Sequence, residues 1–368
     1  VERRGTAVEN MGRMIDRAFW KNKTVLITGH TGFKGSWLSV WLNYLGAKVI
    51  GYGLDPLSDR DNFVLSKIKD KIVDIRGDVR DHEKLKGVFS DRRPEIVFHM
   101  AAQPLVRHSY EEPVITCETN IMGTVHVLEC IRCCPSVRAG IMITTDKCYK
   151  NKEKASGYKE TDEFGGYDPY SASKACDEII IASYRDSFMS PDRFREHGKA
   201  IASVRAGNVI GGGDWAKDRI IPDCVRALEA GEPVRLRNPE AVRPWQFVLE
   251  PLCGYMLLAE SLYEAPEKYS KGWNFGPEPE SVSTVRQVAR QMISVYGEGE
   301  ILDISRPGQP HETSLLTLNI DQAKEELGWK PKLDVSESIE MTARWYKGYR
   351  TEDVYGMCID QIEAYCKK

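Results

Sequence analysis

The chain has no long uninterrupted apolar run. The nearest candidate, residues 37–45, contains Asn43 and falls short of the ~18 apolar residues that a spanning helix needs, which excludes insertion into a membrane as such a helix. Neither sign of charge is in excess: 51 Lys+Arg stand against 54 Asp+Glu, for a net charge of −3. Without a global positive field the chain is not built to hold nucleic acid or an anionic membrane surface, and any anion it binds must be gripped locally. The first twenty residues carry charges where a secretion signal needs an apolar segment, and the ten cysteines are scattered. Both features disfavour a secreted disulfide scaffold and lead to the expectation of a cytoplasmic protein with reduced thiols. The cluster Cys130, Cys133, Cys134 has no second CxxC or HxxxH to complete a zinc site, so it reads as thiols at a helix end, with no metal. Internal repeats and low-complexity linkers are also missing, which excludes a solenoid and favours lobes packed together around a cleft.

What is present is a rhythm. The 368 residues suffice for two domains or one large one. Residues 1–13 show no periodicity and read as a leader or a disordered extension. From residue 14, strand-like runs at 24–28, 48–53, 72–76, 96–99, 140–145 and 200–205 alternate with helix-length segments at 35–45, 81–90, 111–134 and 170–189. This alternation predicts an α/β fold with a doubly wound parallel sheet of the Rossmann type. After Arg205 the rhythm breaks into Gly- and Pro-rich loops. Residues 14–205 are thus mainly a dinucleotide-binding domain, and 206–368 a smaller mixed region that closes over the sheet's carboxyl edge.

The first strand runs straight into Thr28-Gly29-His30-Thr31-Gly32-Phe33-Lys34-Gly35 and then a helix. Glycines spaced by three allow a tight turn, close backbone approach to a pyrophosphate, and packing of helix on strand, while the helix N-terminus favours the anion. Gly29, Thr31, Gly32, Phe33, Lys34 and Gly35 are accordingly cofactor-binding candidates. Outside this context the same spacing is only a strand-to-helix turn. An acid ending the second strand would bind the ribose of NAD, but the only acid here, Asp55, falls two residues late, and Lys34 could instead attract a 2′-phosphate. At the end of the third strand, Asp78 can accept from an adenine amino group while the Val79 N–H donates to the ring; the competing role for Asp78 is a helix cap.

Tyr170 and Lys174 are four residues apart on a predicted helix and so share a face. An ammonium beside a phenol favours the phenolate and lowers its pKa towards that of a working base. Thr145, at the end of the fifth strand, offers a hydroxyl to the same place. Hydride transfer needs no more than these three, yet Asp146 and Lys147 follow directly. An added acid and an added amine imply a second proton transfer. Once a sugar C4 alcohol is oxidised, its C5 hydrogen is acidic, and a carboxylic acid can protonate the C6 hydroxyl so that it leaves as water. The competing role for Asp146 is a turn cap.

At these residues the chain resembles the extended short-chain dehydrogenases/reductases, and within them the CDP-glucose 4,6-dehydratases. The resemblance covers residue 14 to near the C-terminus and includes residues 99–107 (HMAAQPLVR), 119–124 (TNIMGT), 145–149 (TDKCY), 166–170 (GYDPY), 205–215 (RAGNVIGGGDW) and 243–246 (RPWQ). It implies NAD as cofactor, CDP-glucose or a related sugar nucleotide as substrate, and a 4-dehydro-6-deoxy product used for the dideoxy sugars of surface polysaccharides. It places Ala101, Ala102, Gln103 and Asn120 at the cofactor, and Gln103, Asn208, Arg219, Arg243 and His311 at the sugar nucleotide. The dTDP-glucose branch has glutamate where this chain has Lys147, so Lys147 is either the C5 base or a stabiliser of the enolate. Helices 111–134 and 170–189 resemble those that pair in a homodimer of this family, with a tetramer as a further option. Three other readings remain: a dehydratase of another NDP-hexose, a C4 epimerase, which typically has small residues in place of Asp146 and Lys147, and a nonenzymatic dinucleotide sensor, which would be expected to lose the Tyr170–Lys174 pair.

Overall fold

The computed structural model describes residues 13–154, 156–305 and 316–368. Its centre is a parallel sheet of seven strands: β1 (Thr24–Thr28), β2 (Lys48–Gly53), β3 (Val73–Arg76), β4 (Ile96–His99), β5 (Ala139–Ile143), β6 (Ala200–Arg205) and β7 (Gly272–Asn274). Their order is β7-β6-β5-β4-β1-β2-β3. Strand β1 pairs with β2 on one side and β4 on the other, with Thr28 opposite both Tyr52 and His99. The chain order therefore reverses at β1, and a crevice opens beyond the carboxyl ends of β1 and β4, where sheets of this kind bind ligands.

The inner strands are buried on both faces, which is why they read as continuous apolar runs instead of alternating ones. One face carries α1 (Phe33–Tyr44) and the long buried α8 (Leu249–Glu264), with Trp20, Trp37, Trp41 and Trp273 in a shared core. On the other face, α2 (His82–Arg92), α5 (Gly123–Cys133) and α6 (Pro169–Phe188) cover Leu26, Ile50, Val97, Met142 and Ile201. The remaining elements named here are α3 (Val106–Glu111), α4 (Pro113–Cys117), α7 (Ile220–Ala230), α9 (Val285–Tyr296), α10 (Val335–Gly348) and α11 (Val354–Cys366).

Three expectations are corrected. The single helix over 111–134 is α4, a π turn at Glu118–Met122, and then α5. Pro113, which has no N–H to give, starts a new helix at its first position. The fifth strand ends at Ile143, because the side chains of Thr144 and Thr145 bond to Glu178 and Asp146 in the loop beyond. The seventh strand, β7, comes from past residue 205 and pairs with β6; three residues are too few to show a periodicity.

Candidate active site

The loop after β1 is shaped by two of its glycines. Gly29 has a positive φ of 73°, and a Cβ there would lie 2.7 Å from the Ala101 nitrogen; at Gly35 a Cβ would lie 2.2 Å from the Gly29 carbonyl oxygen. Only glycine lets the end of β1 pass this close to the end of β4 and to its own helix. Gly32 has room for a Cβ and serves as the N-cap of α1. Thr31 is buried, and Phe33 and Lys34 form the first helical turn, where backbone N–H groups lack helical partners and face an incoming anion. On the facing strand end, Thr28 Oγ1 accepts from the N–H groups of Met100 and Ala101, and Ala102 follows.

Gln103 and Asn120 are locked together. Asn120 Oδ1 accepts from the Gln103 N–H at 2.8 Å, and its Nδ2 donates to the Gln103 carbonyl and to Ser173 Oγ on α6. The π turn thus has a structural purpose: it brings Asn120 inward to join the loop after β4 to the helix of Tyr170.

At the adenosine end the structure is less simple than the sequence suggests. Strand β2 ends at Gly53 without a carboxylate, and Asp55 is exposed with Arg76 3.6 Å away. Asp78 already holds the Arg80 guanidinium, with contacts of 2.6 to 3.1 Å, and this keeps its carboxyl below the usual range. It is not the helix cap; Asp81 caps α2 by accepting from the Lys84 N–H. Beside Asp78 and Val79 lies a cavity of about 510 Å³ lined by Asp78, Arg80, Asp81, Glu118, Met122 and His126. Lys34 points away from this end. Its ammonium neighbours Arg219, Lys174 and Asp146, and burial, with help from the two cations, lowers its pKa to about 8. A 2′-phosphate at β2 is therefore out of its reach.

Asp168 caps α6 by accepting from the Ser171 N–H at 2.9 Å, and Pro169 takes the first helical position. This sets Tyr170 and Lys174 against the end of β5. Lys174 Nζ donates to Asp177 Oδ2 at 2.9 Å and reaches the Ile143 carbonyl at 3.5 Å. Burial disfavours its charge, but Asp177 and Tyr170 outweigh burial and hold its pKa above the ordinary lysine value. The expected depression of the Tyr170 pKa is not found in the protein alone. Burial raises it, while Lys174 and the Thr145 hydroxyl push the other way.

Thr145, Asp146 and Lys147 form a short turn directly opposite. Thr145 Oγ1 donates to Asp146 Oδ1 at 2.8 Å. Burial raises the Asp146 pKa against the nearby Lys147 and Lys34, which favours the protonated form that an acid catalyst needs. Lys147 is exposed beside it, its backbone N–H donating to Thr145 Oγ1 at 3.4 Å. Gly207 closes the other side: a Cβ there would fall 1.9 Å from Asp146 Oδ2.

Beyond Gly207, Asn208 adopts a left-handed conformation with φ of 51°. Arg219 pairs with Asp214 at 2.7 Å and neighbours Tyr170. Arg243 is half-buried on the short strand Val242–Arg243, which pairs with Ser283–Thr284. His311 lies outside the described residues.

Sequence reasoning missed a second layer. Glu178 accepts both nitrogens of a fork from Arg205 at 2.8 Å, together with the hydroxyls of Thr144 and Ser203. Arg205 also donates to Tyr149, whose hydroxyl donates to Asn274 Oδ1 at 2.8 Å. This buried pair ties β5, β6, β7 and α6 together beneath the catalytic turn. Its available signal was spacing: Asp177 and Glu178 follow Tyr170 by seven and eight residues and so share its helix face.

Fold and site together define an extended short-chain dehydrogenase/reductase of the epimerase and dehydratase class. Residues 26–342 match the family described as GDP-mannose 4,6 dehydratase, and the chain belongs to that family. It is 48% identical over 342 residues to the CDP-glucose 4,6-dehydratase of Salmonella typhimurium, covering 93% of this chain and 95% of that protein. With the dTDP-glucose 4,6-dehydratase of Xanthomonas campestris it shares 24% identity over 350 residues, covering 88% and 93%. Among solved structures, the UDP-glucose 4-epimerase of Thermotoga maritima superposes with a TM-score of 0.72 at 26% identity, covering 88% of this chain and 98% of that one. The dTDP-glucose 4,6-dehydratase of Bacillus anthracis, in complex with NAD, shares the fold with a TM-score of 0.71 at 21% identity, covering 91% and 99%.

Proposed function

We propose that the protein is an NAD-dependent 4,6-dehydratase of CDP-glucose, releasing water and CDP-4-dehydro-6-deoxyglucose. The observation that carries this reading is the buried Asp146, held by Thr145 and flanked by Lys147, facing Tyr170 and Lys174. A C4 epimerase has no use for a carboxyl whose surroundings favour its protonated form. The likeness to the Salmonella enzyme across nearly the whole chain supports CDP-glucose among the NDP-hexoses.

The residues present fit a dinucleotide. Gly29 and Gly35 let the end of β1 pass close to the end of β4 and to its own helix, which sets the loop's backbone under the first turn of α1. The Gly29–Gly35 loop would hold the pyrophosphate, Asp78 and Val79 the adenosine end, and Ala101, Ala102, Gln103 and Asn120 the nicotinamide end. When bound, NAD supplies a hydride acceptor that later returns the hydride. Tyr170 takes the proton of the C4 hydroxyl, and Lys174 and Thr145 stabilise the phenolate. Lys147 acts at C5, and Asp146 protonates the departing C6 hydroxyl. Asn208, Arg219, Arg243 and His311 serve the sugar nucleotide, with the arginine forks suited to its phosphates. Residues 14–205 mainly hold the cofactor and 206–368 mainly the substrate.

The protein is a cytoplasmic homodimer in this reading. All ten cysteines are unpaired, and among the described residues no helix is long and apolar enough to cross a membrane. Val114, Ile115, Met122 and Ile179 are exposed apolar side chains on neighbouring segments of α4, the π turn and α6, a face suited to a second copy.

The test is incubation with CDP-, dTDP-, UDP- and GDP-linked hexoses and added NAD, with detection of the 4-keto sugar. CDP-glucose is expected to react fastest. No 4-keto product from any of them overturns the enzyme assignment, and a clear preference for another nucleotide overturns the substrate.

A further inference from the structure

The proposed reaction displaces one proton on the protein. Bound NAD would supply the acceptor for the C4 hydride; as C4 is oxidised, its O–H bond gives its proton to Tyr170. The C5–H proton then goes to Lys147, and the C6–O bond breaks as the oxygen takes a proton from Asp146 and leaves as water. The hydride returns to C6, and the Lys147 proton returns to C5. The sugar has lost one water and the cofactor is oxidised again, but Tyr170 has gained a proton and Asp146 has lost one.

Both groups are shielded from solvent: Tyr170 is 8% exposed and Asp146 3%. One side chain touches both. Thr145 Oγ1 donates to Asp146 Oδ1 at 2.8 Å and is the only side chain among the described residues to hydrogen-bond that carboxyl. The same hydroxyl faces the phenol of Tyr170. The far side of the carboxyl is closed by bare backbone at Gly207. We propose that Thr145 relays a proton from Tyr170 to Asp146 within each turnover, so that uptake of the C4 hydroxyl proton by Tyr170 supplies, through the chain, a proton for Asp146 to give to the departing water. The Tyr170 O–H bond breaks as its proton passes to Thr145 Oγ1, and the hydroxyl's own proton passes to Asp146. Two O–H bonds break and two form, charge is conserved, and no co-reactant is needed.

The relay rests on the dehydratase reading, and its acidity is set by the groups around it. Asp146 is faced by Lys147 on its own turn, Lys34 from α1, and Tyr170 and Tyr255 from α6 and α8. Tyr170 is faced by Lys174 from α6, by Asp146, and by Arg219 ahead of α7.

The experiment compares Thr145→Val with Thr145→Ser in single turnovers of CDP-glucose, at a pH high enough that Asp146 starts ionised and must receive its proton during the turnover. In the valine variant, C4 oxidation continues and reduced nicotinamide accumulates with undehydrated 4-keto sugar. Its dehydration step slows by ~100-fold, the scale of a lost general acid. That step also speeds up as pH falls, because Asp146 must now draw its proton from solvent. Serine, which keeps the hydroxyl, returns dehydration towards the wild-type rate. In the free protein, the tyrosinate absorbance lost on Tyr170→Phe titrates at higher pH in the valine background. Thr145→Ala replaces valine if melting shows that variant misfolded. Equal slowing of oxidation and dehydration with no accumulated reduced cofactor, or an unmoved tyrosinate titration, overturns the relay. If the wild type turns over no sugar nucleotide, the dehydratase reading fails, while the titration still reports on the contact between Thr145 and Tyr170.

Discussion

Lys174 serves two partners with opposite effects. Its positive charge favours the phenolate of Tyr170, while Asp177, 2.9 Å from Nζ, keeps the ammonium charged but offsets part of its field. Asp177 Oδ1 is buried without a hydrogen-bond partner, and burial raises the carboxyl to about 6 against the pull of Lys174. His99, buried between the hydroxyls of Thr28 and Thr124, is held neutral by burial and by Lys174 and takes no part in this balance. Neutralising Asp177 removes the carboxylate that holds the buried ammonium charged, which weakens the Lys174 charge that favours the phenolate. The ionised phenol is then reached at higher pH, so Asp177→Asn should move the acid limb of kcat/KM for C4 oxidation to higher pH. A pH–rate profile checks this, and an unmoved limb would make Asp177 purely structural. The Tyr170–Lys174 pair was legible from its spacing together with the dinucleotide loop and the five strands that precede it. The depth at which Asp177 sits was not, because an acid on a helix ordinarily marks the solvent face, and burial depends on what packs against it.

Helix α6 organises the site. One face presents Tyr170, Lys174, Asp177 and Glu178 to the sheet, all buried, and the other exposes Ile179. Strands β1, β2, β4 and β6 were legible to the residue because burial on both faces leaves long apolar runs between turns. The π turn was not, since it is fixed by contacts of Asn120 with Gln103 and Ser173, distant in sequence. The same helices carry the proposed dimer face, with Val114 66% and Ile179 57% exposed. Introducing charge there, as Val114→Asp with Ile179→Asp, should convert a dimer into monomers in sedimentation velocity while each monomer still melts cooperatively. A wild type that sediments as a monomer, or a dimer that survives both substitutions, contradicts the assignment of this face.

Over the whole molecule, a net charge of −3 hides a concentrated cationic edge. Lys34, Lys174 and Arg219 converge on the crevice where the strand order reverses, with Lys147 beside Asp146. Cations brought together by folding can grip two pyrophosphates in a chain that offers no field to a polyanion. That gathering was only partly legible. The loop after β1 and the turn after β5 carry their own motifs, but the inward course of Lys34 and the approach of Arg219 to Tyr170 depend on how the residues beyond 206 pack against the sheet. In the proposed reaction one site oxidises C4, expels the C6 oxygen and returns the same hydride to C6. CDP-glucose carrying deuterium at C4 tests it directly. The expected product is the 4-keto sugar with the deuterium in its C6 methyl group, as read by NMR. Deuterium lost to solvent, or retained at C4 of an epimerised sugar, would contradict it.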